Sequence, residues 1–538
     1  VSLKNYRRLK MVESKLKPIS IVLMVYFSRI KVYLTNQKVT LTFIVILSLL
    51  IVLWRLPLLD KPLDDDSAAN AYGARLILQG EPLYSTYHPG HHMPAIYYIY
   101  TLAFMLIGDS PAAIRFFLSL WLIPTAYLLY VLARTLVDQK GSWLAVIFFV
   151  LLTSDYTLEG HAPEIEQFAN LPRIGATLLL ITFLNSKTKD WYLLWIGLVA
   201  AICFLLKAVY VTPLILSGVV LLTQFWSQRS QAGVTYRLIK QLLWLGAGLA
   251  LGFMPVIAYF GVIGLLPRLA LVFTLGQGHV SLTDFSPLFI FLFPLSGLAI
   301  ANLPLLILAL AGALLMPLDK SLPIPSKYLI PLWLFLSFIE AGLSRKAFPH
   351  YYLLITPALC LIAAWLVTQP YRLLKSKAIG LAVPLILLCA IGGVYLFING
   401  GYLSHYVRYK TGQETYRDFV LNSWPPVGSM FVALQDIATY IKIHSDPEDR
   451  IYIYSEEVQL YYLTNRRCAL DFIWIIYLEH PAIPGGLPEM QRRLFAPTTE
   501  FIVIAQPDPP AWLTTGLAKD YHLVETIAER QIYQRNGS

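Results

Sequence analysis

Charge is what this 538-residue chain has least of: only 14% of its residues are Asp, Glu, Lys or Arg, against roughly 25% in an ordinary soluble domain. With 57% hydrophobic residues, a water-soluble multidomain enzyme is excluded, and so is a disordered chain. Cysteine is scarce too. Of the four, Cys203, Cys360 and Cys389 lie in apolar segments and Cys468 stands alone in a polar region, so neither a disulfide framework nor a cysteine metal site follows. No internal repeat is visible. Acids are fewer than bases, giving a net charge of +10, but nine Lys or Arg fall between Lys4 and Lys38 against the single acid Glu13. Such clustering is orientation charge at an anionic lipid surface, not a stripe for nucleic acid.

What is there is a series of apolar runs, each close to the roughly 20 residues needed to cross a bilayer. They predict an α-helical polytopic membrane protein with about 11–13 transmembrane segments: 39–56, 93–107, 113–133, 142–154, 174–186, 191–206, 209–226, 241–260, 287–315, 328–341, 351–367 and 378–397. Pro124, Pro213, Pro255 and Pro304 read as interior prolines, tolerated where neighbours satisfy the freed carbonyl. Residues 1–38 form a basic cytoplasmic or juxtamembrane N-terminus without a cleavage site, and 39–400 the multi-pass domain. Residues 401–538 alternate strand-length apolar runs (450–455, 501–505, 521–527) with helical stretches (431–444, 457–463), which predicts a C-terminal soluble α/β domain. The cation-rich gaps predict a cell-membrane protein with a cytoplasmic N-terminus, outside loops 57–92, 155–173, 261–286 and 342–350, and an extracytoplasmic C-terminal domain. If 93–107, 113–133 and 142–154 all crossed, loop 155–173 would fall inside, so 93–107 is expected to be re-entrant or incompletely spanning.

The polar residues concentrate in the outside loops. Asp64, Asp65 and Asp66 lead into a short helix over about 68–78, expected to be capped by Asp66 or Ser67 and to lie amphipathically along the interface. Crowded carboxylates raise one another's pKa, so one of them is a candidate base; a capped, solvated acidic turn is the alternative. His88, His91 and His92 follow without a metal-ligand spacing, and a phosphate contact suits them better. The second loop carries Glu159, Glu164 and Glu166 at a helix entry, where acids are costly and functional. Lys207 ends a helix and either snorkels or serves the site. Ser344-Arg-Lys-Ala-Phe-Pro-His-Tyr-Tyr places Arg345, Lys346 and His350 on the outer side, against the positive-inside pattern. An anionic lipid phosphate explains them, and pairing of Arg345 with Glu340 is the alternative.

In combination, the first-loop acids with Ala-Tyr-Gly-Ala-Arg, Gly-Glu-Pro-Leu-Tyr, Pro-Ala-Ile-Tyr-Tyr, Leu-Ile-Gly-Asp-Ser-Pro-Ala-Ala-Ile-Arg and Arg-Lys-Ala-Phe-Pro-His-Tyr-Tyr-Leu-Leu resemble the GT-C superfamily of integral-membrane glycosyltransferases. The likeness is to its bacterial protein-mannosyltransferase and lipid A aminoarabinose transferase members (glycosyltransferase family 39-like). The resemblance implies an inverting transfer of a hexose or pentose from a polyprenyl-phosphate donor to an acceptor hydroxyl on a glycan, lipid or protein at the outer membrane face. Membrane lipids surround it, and no nucleic acid is involved. Counting back from Arg75 places the family's acidic pair at Asp66 and Ser67, so Asp66 is the expected catalytic acid, with Asp65 in reserve and Glu166 as the second-loop acid. His92 occupies the place of the family's phosphate-binding lysine, and Lys207, Arg345, His350 and Tyr351 complete the expected substrate contacts. No cofactor is required by this reading; a divalent metal at Asp66 and Glu166 stays open. A polytopic transporter or lipid flippase, or a non-catalytic membrane scaffold, is the competing class.

Overall fold

The computed structural model describes residues 37–185, 189–281, 289–343, 346, 348–373, 377–425 and 427–537. The chain divides into two compact units between Leu53 and Trp54, within the first helix, α1 (Gln37–Arg55). Among the described residues six helices are long and apolar enough to cross a membrane: α4 (Pro111–Ala133), α6 (Ile165–Asn185), α9 (Val234–Val262), and the apolar stretches Leu292–Leu318, Ile324–Gly342 and Ala382–Lys410. Shorter apolar helices fill the layer between them: α5 (Gln139–Leu152), α7 (Tyr192–Leu206), α8 (Thr212–Ser227) and α13 (Thr356–Leu373). Pro213 lies in the first turn of α8 rather than inside a helix, where its missing N–H costs nothing. In α11 (Phe289–Leu315) the backbone leaves helical geometry at Asn302, just before Pro304. The Asn302 amide donates to Ile391 O at 3.1 Å and its carbonyl accepts from Leu305 N at 3.2 Å, so the kinked groups find partners within the protein, as a bilayer demands.

The expected loops gather at one end. Arg55 donates to Thr153 O and Gly160 O, both at 2.8 Å. Asn170 reaches Leu353 O at 3.0 Å, and Asn399 holds Asp155 at 3.0 Å. At the other end Lys240 meets Asp190 at 3.0 Å, joining two of the cation-bearing gaps. The helix expected to be incomplete, α3 (Ala95–Ile107), has 13 residues, about 20 Å at 1.5 Å per residue, against a core of about 30 Å. Before it, His91 Nδ1 lies 2.6 Å from the Tyr477 hydroxyl; beyond it, Asp109 accepts from the Tyr462 hydroxyl at 2.9 Å. Residues on both sides of α3 thus touch the C-terminal domain.

Two expectations change. The stretch 261–286 holds a helix, α10 (Leu266–Ser281), and its Arg268 is bonded to Ser85 O at 2.5 Å and to Asp471 at 2.7 Å. Helix α14 (Lys377–Lys410) runs unbroken through residue 400, so the chain leaves the helical layer ten residues later than composition indicated. The C-terminal domain is built on a five-stranded sheet of order β2-β1-β3-β5-β4. β1 (Arg450–Tyr454), β2 (Arg467–Cys468) and β3 (Thr499–Ile504) are parallel, and β5 (Arg530–Arg535) and β4 (Tyr521–Ile527) add antiparallel strands. All six residues of β3 are buried, as a central strand requires.

Candidate active site

Helix α2 (Asp65–Leu78) begins the site. Its N-cap is Asp64, which accepts from Ser67 N at 2.8 Å, not Asp66 or Ser67. This frees Asp66 for the first turn, where the helix dipole favours an anion. Residues Ser67 to Ala74 are all buried, so α2 is packed inside the protein rather than laid on the interface. Small residues at 68, 69, 71, 73 and 74 permit this close packing; a Cβ on Gly73 would meet Tyr87 at 2.6 Å and Tyr97 at 2.7 Å.

Above the N-terminus of α2 the second loop folds inward. Ligand atoms of Asp66, Glu164 and His350 lie within 4.8 Å of one another. Ser67 Oγ donates to Glu164 Oε1 at 2.8 Å. Glu166, in the first turn of α6, takes Lys207 Nζ at 3.0 Å and the Tyr210 hydroxyl at 2.5 Å on one oxygen. Lys207 also sits over the Tyr351 ring, 3.8 Å from its centroid. His350 Nδ1 meets Glu159 Oε2 at 2.6 Å. Glu159 holds a left-handed backbone, φ 52°, a strain that persists only where surrounding contacts over-determine it.

The electrostatics follow from this crowding. Burial raises the Asp66 carboxyl above the ordinary carboxylate range; nearby His350 pulls it back and Asp64 raises it again. Burial, with Asp64 and Asp66 beside it, drives Glu164 well above its usual value. Asp65, on the lining of an adjoining cavity, is pushed up to about 8 by burial and by Asp66 and Asp64. For Asp64 burial acts upward but is outweighed by its hydrogen bonds to Ser67, so it is lowered. Burial would lower His350, yet the Glu159 hydrogen bond and the Glu166 charge prevail and raise it to about 9. His350 is therefore a cation at neutral pH. Its raised folded pKa adds stability in full below its free value of 6.5, lost as pH rises through about 9. The thermal midpoint should fall across that window, and His350→Gln should flatten the fall.

Of the expected residues, Asp66, Glu166, Lys207, His350 and Tyr351 converge here. Asp65 lines the adjoining cavity. His92 stands in an aromatic group with His91, ring centroids 4.5 Å apart, and its Nδ1 lies 3.3 Å from the Tyr97 hydroxyl. Arg345 lies outside the described residues. The expected alternative partner for it, Glu340, is bound to Arg173 at 2.5 Å. Tyr210 was not legible as a site residue, because it falls within the apolar run 209–226, where a tyrosine near the end reads as an interfacial anchor. Lys61, buried against His161 and bonded through its carbonyl to Arg115, was missed for the same reason: one lysine in a polar loop carries no signal.

A family model described as dolichyl-phosphate-mannose-protein mannosyltransferase matches residues 88–239. No curated protein matches the chain by sequence. Among solved structures, ArnT from Cupriavidus metallidurans bound to undecaprenyl phosphate is similar over 93% of this chain and 98% of its own, with a TM-score of 0.63 and 14% identity. The Archaeoglobus fulgidus oligosaccharyltransferase AglB, in complex with an inhibitory peptide and a dolichol-phosphate, is similar over 87% and 69%, with a TM-score of 0.52 and 12% identity. The likeness to the GT-C glycosyltransferases read from the motifs is thus matched by family model and by fold.

Proposed function

We propose that this GT-C-like chain transfers a sugar from a polyprenyl phosphate to an acceptor hydroxyl on the outer face of the membrane, with inversion at the anomeric carbon. The observation that supports this most is one half-buried carboxyl, Asp66, held above its normal pKa close to His350 and Lys207. The acceptor oxygen attacks the anomeric carbon and its proton passes to Asp66. The sugar–phosphate bond breaks, and its electron pair leaves on the lipid phosphate. Lys207 and His350 face that growing charge, and pre-oriented cations in a dry site are strong stabilisers of it. The proposed roles of His92, Tyr351 and Arg345 are to seat the donor, and that of Glu166 is to hold Lys207 in place.

Asp66 and Glu164, rather than Asp66 and Glu166, lie together with His350; the two carboxylates suit a divalent ion, and the imidazole would join them only on giving up its proton. The crowding that lifts Glu164 is the kind of repulsion such an ion relieves. When bound it would supply Lewis-acid neutralisation of phosphate charge.

The test is stereochemical. Purified protein supplied with a polyprenyl-phosphate hexose of known anomeric configuration should yield a product of the opposite configuration by NMR. Retention would contradict a single displacement.

A further inference from the structure

Away from the carboxylate cluster, the end of α2, the turn after α3 and the C-terminal domain enclose an open cavity of about 380 Å³, within the range of about 300–1,000 Å³ typical of small-ligand sites. Arg75, Leu78, Asp109, Lys442 and Tyr462 are on its lining, and none of Asp66, Glu164 or His350 is. Arg75 donates to Asp109 at 2.6 and 3.1 Å, and its guanidinium lies 4.0 Å from the centroid of the Tyr462 ring. Asp109, the one acid on the lining, also accepts from the Tyr462 hydroxyl at 2.9 Å, so its oxygens are committed to these two neighbours.

Lys442 has no such counter-charge. Among the described residues no carboxylate is ion-paired to it, nor to the nearby Arg466, whose guanidinium is turned onto Ser445 and Thr464. Burial, with Arg75 and Arg466 beside it, holds the Lys442 ammonium below the ordinary lysine range. Three cations thus gather around a single carboxylate, an arrangement that an anion would complete. The surface beside it is apolar. Leu78, on the lining, is 42% exposed, and Ile443, next to Lys442, is 72% exposed. Met105 and Leu106, at the end of α3, are 69% and 67% exposed. Tyr98, Leu102 and Met105, all exposed, follow one another at spacings of four and three, so they share one face of α3, and the chain passes from that helix to Asp109 on the lining. A free anion would answer the cations and leave this face in water. A lipid answers both, because cations beside an exposed apolar helix face are the features by which a protein lies on an anionic bilayer surface.

We infer that this cavity seats the headgroup phosphate of an anionic phospholipid whose chains run along the exposed face of α3, fastening the C-terminal domain to the bilayer surface. The headgroup lies against Lys442 and Arg75, with Leu78 and Ile443 at the boundary of its chains. The inference does not depend on the transfer reaction proposed above.

The experiment titrates the full chain, purified in a neutral detergent, with dioleoylphosphatidylglycerol and separately with dioleoylphosphatidylcholine, and follows the adducts by native mass spectrometry. The anionic lipid should fill one site saturably and at least about tenfold more tightly than the zwitterionic one. Lys442 is exposed and carries no ion pair, so Lys442→Gln should leave the fold intact while weakening that site about fivefold, the effect of one cation at an anionic lipid. Lys519→Gln makes the same change of charge at an exposed position off the lining and should leave the site as tight as in the parent. Glycerol 3-phosphate, a headgroup without chains, should not compete at equal concentration. Equal affinity for the two lipids overturns the inference, as does a Lys442→Gln site as tight as the parent's. An equal loss in Lys519→Gln would mean diffuse surface charge, and competition by glycerol 3-phosphate would mean a free-anion site; either result overturns it too.

Discussion

Replacing Asp66 with Asn should slow sugar transfer by about 10²–10⁴-fold, the range for loss of a general base. The amide keeps the volume and the first-turn position but cannot accept a proton from the acceptor. The fold should survive, because the cap of α2 is Asp64, which this change does not touch. Removing one of several crowded acids also relieves the repulsion that raises Glu164, so thermal stability should hold or rise. Asp65→Asn is the informative control: Asp65 lines the adjoining cavity and is not one of the cluster of Asp66, Glu164 and His350, and its loss should cost far less. A large loss in Asp65→Asn with full activity in Asp66→Asn would move the role one residue upstream. Full activity in both would end the carboxylate mechanism.

The largest expected effect on stability lies elsewhere, at Arg173 and Glu340. Their side chains are 0% and 3% exposed and 2.5 Å apart. Arg173 also donates to Leu354 O at 2.7 Å and to Ser337 Oγ at 3.1 Å, while the second Glu340 oxygen accepts from Thr212 N at 2.6 Å. The pair thus ties α6, the start of α8, α12 (Ile324–Gly342) and the turn carrying His350. Arg173→Ala leaves a carboxylate buried without its cation, which costs about 3–5 kcal/mol. It should show as a collapse of folded yield in detergent and a lower thermal midpoint. Arg173→Met with Glu340→Leu should recover part of that loss, since an apolar pair of similar volume avoids the desolvation cost. A single variant as stable as the parent would show that the pair holds nothing.

Much of the molecule was legible because its signals are local. Apolar runs of spanning length needed no tertiary information, and neither did β1, β3 and β4 with their continuous apolar centres. β5 was missed because Arg530-Gln-Ile-Tyr-Gln-Arg has only Ile532 fully buried, and its strand state is set by pairing between β3 and β4. In the site, Asp66, Glu166, Lys207 and His350 stood out as charges in places that disfavour them. What could not be read was who meets whom. Glu340 is reached by Arg173, 167 positions away, and nothing in the local sequence announces that pairing. The cap of α2, expected at Asp66 or Ser67, lies two or three residues earlier, because Asp64, Asp65, Asp66 and Ser67 are all good caps by composition and only the fold of the loop selects Asp64.

The central claim is that this chain consumes a lipid-phosphate sugar through Asp66. Mass spectrometry of polyprenyl-phosphate sugars in cells lacking the protein tests it most directly. One monosaccharide-bearing carrier should accumulate, return to its normal level when the parent gene is restored, and stay high with Asp66→Asn. A carrier pool that does not change on loss of the protein, or that Asp66→Asn restores as well as the parent does, would contradict it.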